Sequence, residues 1–373
     1  MKNKIINTIW YITFILMMAY QMFYRYAPVK DALKQFNPYC LAVLGIIVIF
    51  KVKNYDAKSL LGMSIIGLFI LWNFNIVHSV VSIQVYLLAV SFCDIDFKEF
   101  VWVEFIFMTL FFIIVMYLCL SGEISDYIIY RGDVARHSFG FQHPNGFGGY
   151  IVAMCCSYIF LRYKTLRAWD LLVPSISAYL VYYFADSRTA YISLILFVLG
   201  LILIKVFKDK DPKFIRVLIP FTPIVCCLAI YILVLNYGKY DFINTINTIL
   251  SRRVSYGYQF YSAYGVHLLG GSISAVQKQG GILDSAYLYI MIRYGLLVLA
   301  GFLATGYFSL RYLLTDQSYL MPVMVLIMVI YFIYGVTETT MFQFWFNPYL
   351  MYFGTFAAKK SLGHTDYQED LVD

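Results

Sequence analysis

Two histidines, an arginine and an asparagine are gathered in Arg136-His137-Ser138-Phe139-Gly140-Phe141-Gln142-His143-Pro144-Asn145-Gly146, a polar stretch between long apolar runs. Pro144 suits the first turn of a helix and Asn145 can cap it, which puts His143 at a helix N-terminus. There the dipole lowers an imidazole pKa and favours anionic ligands. Arg188 stands in Asp186-Ser187-Arg188-Thr189-Ala190, a tight turn between apolar runs. A guanidinium so placed is costly to desolvate unless an anion answers it; the plain alternative is an ion pair with Asp186. Ser251-Arg252-Arg253-Val254-Ser255-Tyr256 runs on into Tyr258, Phe260, Tyr261 and Tyr264. That alternation suits anions and stacked sugars, but it also describes an amphipathic helix lying in a membrane interface. Asp284, in Leu283-Asp284-Ser285-Ala286-Tyr287, reads as a helix cap or as the partner of an arginine or hydroxyl. Glu338 lies in a short turn bounded by apolar runs, where an idle carboxylate is expensive. Asp284 and Glu338 are the acids that could serve as bases, with His143 as a third candidate.

The elements that must position these residues are membrane helices. The chain is 61% apolar and 13% charged, with a mean hydropathy of +0.73, against about 45–50% and about 25% in soluble domains. The excess falls in repeated apolar runs long enough to cross a bilayer as helix. The sequence predicts an all-α polytopic membrane protein of about twelve spans, because only helices satisfy their own backbone in lipid and the unbroken runs exclude a barrel. The spans fall near 5–24, 37–50, 59–77, 79–93, 100–120, 146–162, 169–185, 189–206, 214–236, 287–314, 319–336 and 340–358, the second and fourth being short. Residues 1–362 form one transmembrane domain, with loops of about 121–145 and 237–286 long enough to hold a site, and 363–373 read as a disordered tail. The first run has no small-residue cleavage site and reads as a retained helix.

Orientation follows the basic residues. Lys51/Lys53/Lys58, Arg162/Lys164/Arg167 and Lys205/Lys208/Lys210/Lys213/Arg216, with Lys2/Lys4 and Lys359/Lys360 at the termini, all fall on one side of a twelve-span chain. That side is expected to be cytoplasmic, with 121–145, 186–188, 237–286 and 337–338 outside. The inside then holds thirteen lysines and four arginines, and the outside four lysines and seven arginines: 25, 131, 136, 188, 252, 253 and 293. Arginine kept outside against the usual bias points to use, since a guanidinium forks onto phosphate in two parallel hydrogen bonds. Snorkelling to headgroups is the plain alternative, above all for Arg25 and Arg131.

Several chemistries lack their signatures: there is no phosphate-binding P-loop, zinc spacing, Gly-x-Ser-x-Gly or dinucleotide fingerprint. Asp94-Ile95-Asp96 looks like a metal-binding pair but falls on the cytoplasmic side and reads as a solvated loop. The seven cysteines lie in or at the ends of apolar runs and read as packing residues. No metal or cofactor is expected, and the net charge of +7 is not a nucleic-acid signal.

Taken in order, the loop ending in His143-Pro144-Asn145, the Asp186–Ala190 turn, Ser251-Arg252-Arg253-Val254 and Leu283–Tyr287 followed by Arg293-Tyr294-Gly295 form a pattern, completed by Glu338 with Asn347-Pro348-Tyr349. It resembles the bacterial oligosaccharide repeat-unit polymerases, the Wzy group of the O-antigen ligase/polymerase superfamily, and most of all those of Gram-positive capsule and exopolysaccharide clusters. The likeness covers about residues 130–350. It implies a GT-C-like glycosyltransferase that joins undecaprenyl-diphosphate-linked repeat units on the outer face of the cytoplasmic membrane. A flippase and a chain-length regulator of the same pathway are the implied partners, beside the lipid bilayer. Carried onto this chain, Arg188 and Arg253 clamp the diphosphate, Arg136 and Arg293 assist, and His143 or Glu338 acts as base or orienter. Asn145, Arg252, Asp284 and Tyr287 complete the expected substrate contacts. His267, in Gly265-Val266-His267-Leu268-Leu269-Gly270, departs from the histidine motif of the ligases. A ligase that moves finished glycan, or a transporter for a lipid-linked glycan, remains the alternative.

Overall fold

The computed structural model describes residues 2–77, 79–207, 213–278 and 280–359; the expected tail of 363–373 lies outside them. Among the described residues the chain is helical apart from one two-stranded hairpin. The first half carries α1 (Lys2–Met22), α2 (Ala27–Lys34), α3 (Asn37–Lys51), α4 (Ala57–Val77), α5 (Val81–Ser91) and α6 (Phe97–Leu120). The hairpin of β1 (Ile129–Arg131) and β2 (Val134–Arg136) follows, paired antiparallel with Ile129 opposite Arg136. Next come α7 (Pro144–Arg162), α8 (Leu172–Leu180), α9 (Arg188–Val206), α10 (Lys213–Leu218) and α11 (Thr222–Leu235). The last part holds α12 (Asp241–Ile249), α13 (Arg253–Tyr264), α14 (Ser274–Lys278), α15 (Ala286–Tyr289), α16 (Leu296–Leu313), α17 (Met321–Tyr334) and α18 (Tyr352–Ala357).

Eight helices among the described residues are long and apolar enough to cross a membrane, from Asn3–Met22 to Leu296–Leu313. Their outer faces carry Leu68, Trp72, Ile113, Tyr117, Leu203 and Ile232, all exposed. Such a surface would be a liability in water and is the ordinary one against lipid chains. The chain is a helical membrane protein.

At the centre is α7. Its first turns read Pro144-Asn145-Gly146-Phe147-Gly148-Gly149, and a side chain at Gly148 would strike Ala190 and Ser187, while one at Gly149 would strike Phe346. The missing side chains let α9 and the Phe346 ring lie against the α7 backbone, as small residues do at helix interfaces in membranes. Beside α5 and α6, α1 contributes Trp10, whose Nε1 donates to Ser91 Oγ at 2.8 Å and whose ring meets Phe14, Phe92 and Phe100.

Two expected spans are interrupted by non-helical residues. The run expected at 287–314 consists of α15, a π-helical turn at Ile290–Tyr294, and then α16 after Gly295. Gly295 has φ +92, and a Cβ there would collide with Leu268 O and Gly270 N, so glycine breaks the helix where another loop crosses it. The run expected at 340–358 becomes two 3-10 turns, Thr339–Phe342 and Pro348–Met351, before the short α18. Pro348 drives Asn347 out of helical geometry, to φ −134 and ψ 79. Side chains then replace the lost ladder: Tyr331 OH donates to Phe346 O at 2.8 Å and Asn347 Nδ2 to Met341 O at 3.0 Å. Protein encloses this irregular backbone, with Tyr349, Leu350, Met351 and Tyr352 all buried.

Contacts sort the charged groups into two ends. At one, Lys51 pairs with Asp94, Lys359 with Asp56, Lys205 donates to Leu166 O, and Lys98 and Lys164 lie over the Tyr319 ring. Asp94-Ile95-Asp96 is therefore not a free loop. Asp94 binds the buried Lys51, and Asp96 caps α6 by accepting from Glu99 N at 2.7 Å. The hairpin, Asp186, Arg253 and Glu338 meet at the other end.

Candidate functional site

The site is assembled from six pieces of chain. The hairpin delivers Arg131 and Arg136, and the start of α7 delivers His143 and Asn145. The turn before α9 supplies Asp186, and the first residues of α9 supply Arg188 and Thr189. The start of α13 gives Arg253, and the segments before α15 and after α17 give Asp284 and Glu338.

Its floor is one continuous chain of hydrogen bonds. Arg136, only 5% exposed, donates from Nε to Ala185 O at 3.0 Å and from Nη2 to Asn145 Oδ1 at 2.6 Å. Asn145 Nδ2 donates to Glu338 Oε1 at 2.8 Å. That same oxygen receives Arg253 Nη2, while Arg253 Nε donates to Thr337 O. Thr189 Oγ1 lies 2.9 Å from Thr337 Oγ1 and 3.5 Å from Glu338 Oε1. Arg253 and Glu338 have side chains only 8% and 5% exposed, so their pairing is shielded from water and strongly coupled.

The rim is more open. Arg188 is 39% exposed and its Nε lies 3.9 Å from Asp186 Oδ1, beyond hydrogen-bond reach. Asp186 pairs instead with Arg131, whose Nη1 lies 2.8 Å from Oδ2. Asp284 is 32% exposed, with Oδ2 at 3.8 Å from Arg253 Nη2. Four guanidiniums and three carboxyls therefore share one end of the bundle, leaving positive charge in excess when all are ionised.

Burial and mutual charge tune the titrating groups. Burial, reinforced by Arg131, lowers Arg136 to about 10, so it stays charged at neutral pH. Burial raises Asp284 above the ordinary carboxylate range against the pull of Arg253 and Arg136. It raises Glu338 too, against Arg253 and with help from Asp284. His143 is lowered to about 4 by burial and by the nearby Arg136, Arg253 and Arg131.

Several expected roles change. Asn145 does not cap α7. His143 does, accepting the Asn145 amide on Nδ1 at 3.0 Å, and this frees the Asn145 side chain to bridge Arg136 and Glu338. A neutral imidazole that accepts on Nδ1 carries its proton on Nε2. Nor does Asp284 cap the helix after it: Ser285 holds that position, and Asp284 faces Arg253. Arg253 is not an open clamp, since Glu338 and Thr337 O occupy its buried face. Tyr287 is fully buried and donates to Phe332 O at 2.8 Å, a core contact instead of a substrate contact. Arg293 lies apart from the cluster, bonded to Tyr289 OH and, at 3.2 Å, to Val77 O. Arg252 is exposed and left-handed at φ +66; with Ser251 at φ +53 it reverses the chain between α12 and α13. His267 is exposed with Nε2 at 2.8 Å from Tyr264 O.

Other residues emerge only in three dimensions. Asp126 accepts from Ser138 N and Phe139 N and lies 2.6 Å from His137 Nδ1, which shapes the loop leading into α7. Glu104 is a fully buried carboxyl within α6, bonded by Ser157 Oγ at 2.8 Å. A lone acid inside an apolar run is a signal for such a residue. Among the described residues, no group of three His, Cys, Asp or Glu is placed to hold a metal ion.

Fold and site together define a class: a helical membrane protein with an arginine-and-carboxylate cluster at one end of its bundle. In comparisons with known proteins the chain matches no protein-family model, no curated protein and no solved structure.

Proposed function

We propose that the chain is a polysaccharide polymerase. It would join oligosaccharide repeat units carried on undecaprenyl diphosphate, moving the growing chain onto a new lipid-linked unit at the outer face of the bacterial plasma membrane. The observation that carries this reading is the open Arg188 on the same rim as the partly exposed carboxylate Asp284, over a buried floor of Arg136, Asn145, Glu338 and Arg253. In this topology the chain crosses twelve times, with α5, α17 and segments 168–185 and 339–358 joining the eight long helices. Both termini and the lysine clusters then face the cytoplasm.

The chemistry needs an anion site beside a base. The bond between the anomeric carbon and the diphosphate oxygen breaks, and its electron pair leaves with the diphosphate. The acceptor hydroxyl oxygen forms the new bond and loses its proton. Arg188, preorganised in a partly dry site, stabilises the charge growing on the leaving group, with Arg136 and Arg253 adding field from below. Asp284 is the carboxylate open enough to take the acceptor proton. Glu338 holds Arg253 and Asn145 in register, and His143 offers a fixed Nε2–H donor to a sugar or phosphate oxygen.

The test is reconstitution with the undecaprenyl-diphosphate-linked repeat unit, comparing wild type with Arg188→Ala and running each with and without EDTA. A ladder of products that survives EDTA and disappears in Arg188→Ala is expected. Intact substrate bound without any ladder from wild type would overturn the polymerase reading in favour of a ligase or transporter. A full-strength ladder from Arg188→Ala would remove Arg188 from the site.

A further inference from the structure

The segment preceding Arg188 ends in an unusual way. After α8 the chain makes a π-helical turn at Val181–Ala185, and Asp186 then takes a left-handed conformation at φ +39 and ψ +43. The last carbonyls of such a helix end need donors from elsewhere. The hairpin supplies three in succession: His137 N to Phe184 O at 2.9 Å, Arg136 Nε to Ala185 O at 3.0 Å, and Arg131 Nη1 to Asp186 O at 3.2 Å. The β-hairpin therefore acts as a cap brought in from another part of the chain.

Arg131 does something more than cap. The same Nη1 also holds Asp186 Oδ2 at 2.8 Å, while Arg188 Nε stays 3.9 Å from Asp186 Oδ1. Asp186 is two residues from Arg188, and its side chain is only 11% exposed. It is the nearest anion to the open guanidinium and the one best placed to neutralise it.

We infer that Arg131 is a positioning residue that draws the Asp186 carboxylate aside and so keeps Arg188 free for an anionic diphosphate ligand. The inference rests on the reading of Arg188 given above. Without Arg131, Asp186 would turn onto Arg188 and compete with the ligand for the same donors. Removing the Asp186 charge should then relieve the competition even with Arg131 absent.

That reciprocity gives the experiment. The affinity of the full chain in lipid nanodiscs for undecaprenyl diphosphate is measured for wild type, Arg131→Ala, Asp186→Asn, the Arg131→Ala/Asp186→Asn double variant and Arg188→Ala. Arg131→Ala should bind about tenfold more weakly, the scale of one charge-assisted hydrogen bond. Asp186→Asn, which removes the competing carboxylate, should bind at least as tightly as wild type, and the double variant should return to the affinity of Asp186→Asn. A double variant as weak as Arg131→Ala or weaker would overturn the inference, because Arg131 would then touch the ligand or merely hold the turn. Equal losses in Asp186→Asn and Arg131→Ala would overturn it as well. Should Arg131→Ala fail to fold, Arg131→Gln carries the same comparison with Asp186→Asn. Undiminished binding by Arg188→Ala would instead defeat the underlying reading of the site, and it shows in that variant alone.

Discussion

Arg253 and Glu338, separated by 85 residues, form a buried ion pair that ties the start of α13 to the turn after α17. Glu338 Oε1 also takes the Asn145 amide, so the pair joins three segments distant in sequence. Removing one member leaves the polar atoms of the other sealed from water without their partner.

Glu338→Ala and Arg253→Ala should each therefore lose about 3–5 kcal/mol of stability, the usual cost of orphaning a buried charge. Replacing both by apolar residues, as in Arg253→Met/Glu338→Leu, should recover much of that stability while leaving the protein inactive. Thermal unfolding midpoints of purified protein, read beside the polymerisation assay, separate the two effects.

Asp284→Asn should behave differently, because its side chain is partly open and its neighbours keep their own partners. Binding of undecaprenyl diphosphate should persist while turnover falls by about 10²–10⁴-fold, the range for a lost general base. The pH dependence offers a second check. Burial raises Asp284, so wild-type activity should climb with pH through a range above that of an ordinary carboxylate, as the proposed base loses its proton. The residual activity of Asp284→Asn should lack that limb.

His143 predicts a pH effect on stability. Its folded-state pKa is lowered to about 4 from an ordinary 6.5, so between those values the unfolded chain binds a proton that the folded chain refuses. Stability is complete above about pH 6.5 and drains away as pH falls toward 4. His143→Asn, which keeps a capping acceptor, should flatten that part of the curve; a stability profile unchanged from wild type would sink the assignment.

Gly295→Ala should destabilise by about 1–3 kcal/mol, the cost of holding a non-glycine residue in a strained backbone region. The contact with Leu268 O and Gly270 N should add to that cost. Folded yield and melting temperature are the readouts, and an unaffected protein would mean the loop can move aside.

Much of the scaffold could be read from local pattern. The runs that became α1, α4, α6, α9 and α11 are predominantly apolar, and Pro144 marks the start of α7 as its chemistry requires. The segment around Asn347 was not legible, because its helix is replaced by side-chain bonds from Tyr331 and Asn347 that depend on tertiary neighbours. The site was legible as a list of residues and not as a division of labour. Arg188 and Arg253 are alike in sequence, yet one is open and the other sealed, and only the carboxylates brought beside them make the difference. Arg131 has the position of a headgroup anchor, and nothing local shows that it reaches Asp186, 55 residues away. Tyr287 failed for the opposite reason: a tyrosine beside an acidic motif looks available until the helices close over it.

The interrupted segment from Thr339 to Met351 also bears on how the protein is made. A stretch with so little helical ladder carries carbonyls and amides that a bilayer will not accept bare. Unlike α6 or α11, it has no continuous helix to satisfy its own backbone in lipid. It becomes stable only in a groove that already offers the Tyr331 hydroxyl and the glycine face of α7. We expect the helices before it to gather first and this segment then to lock the bundle, carrying Asn347 and its neighbours to their seats while fixing the backbone that follows Glu338.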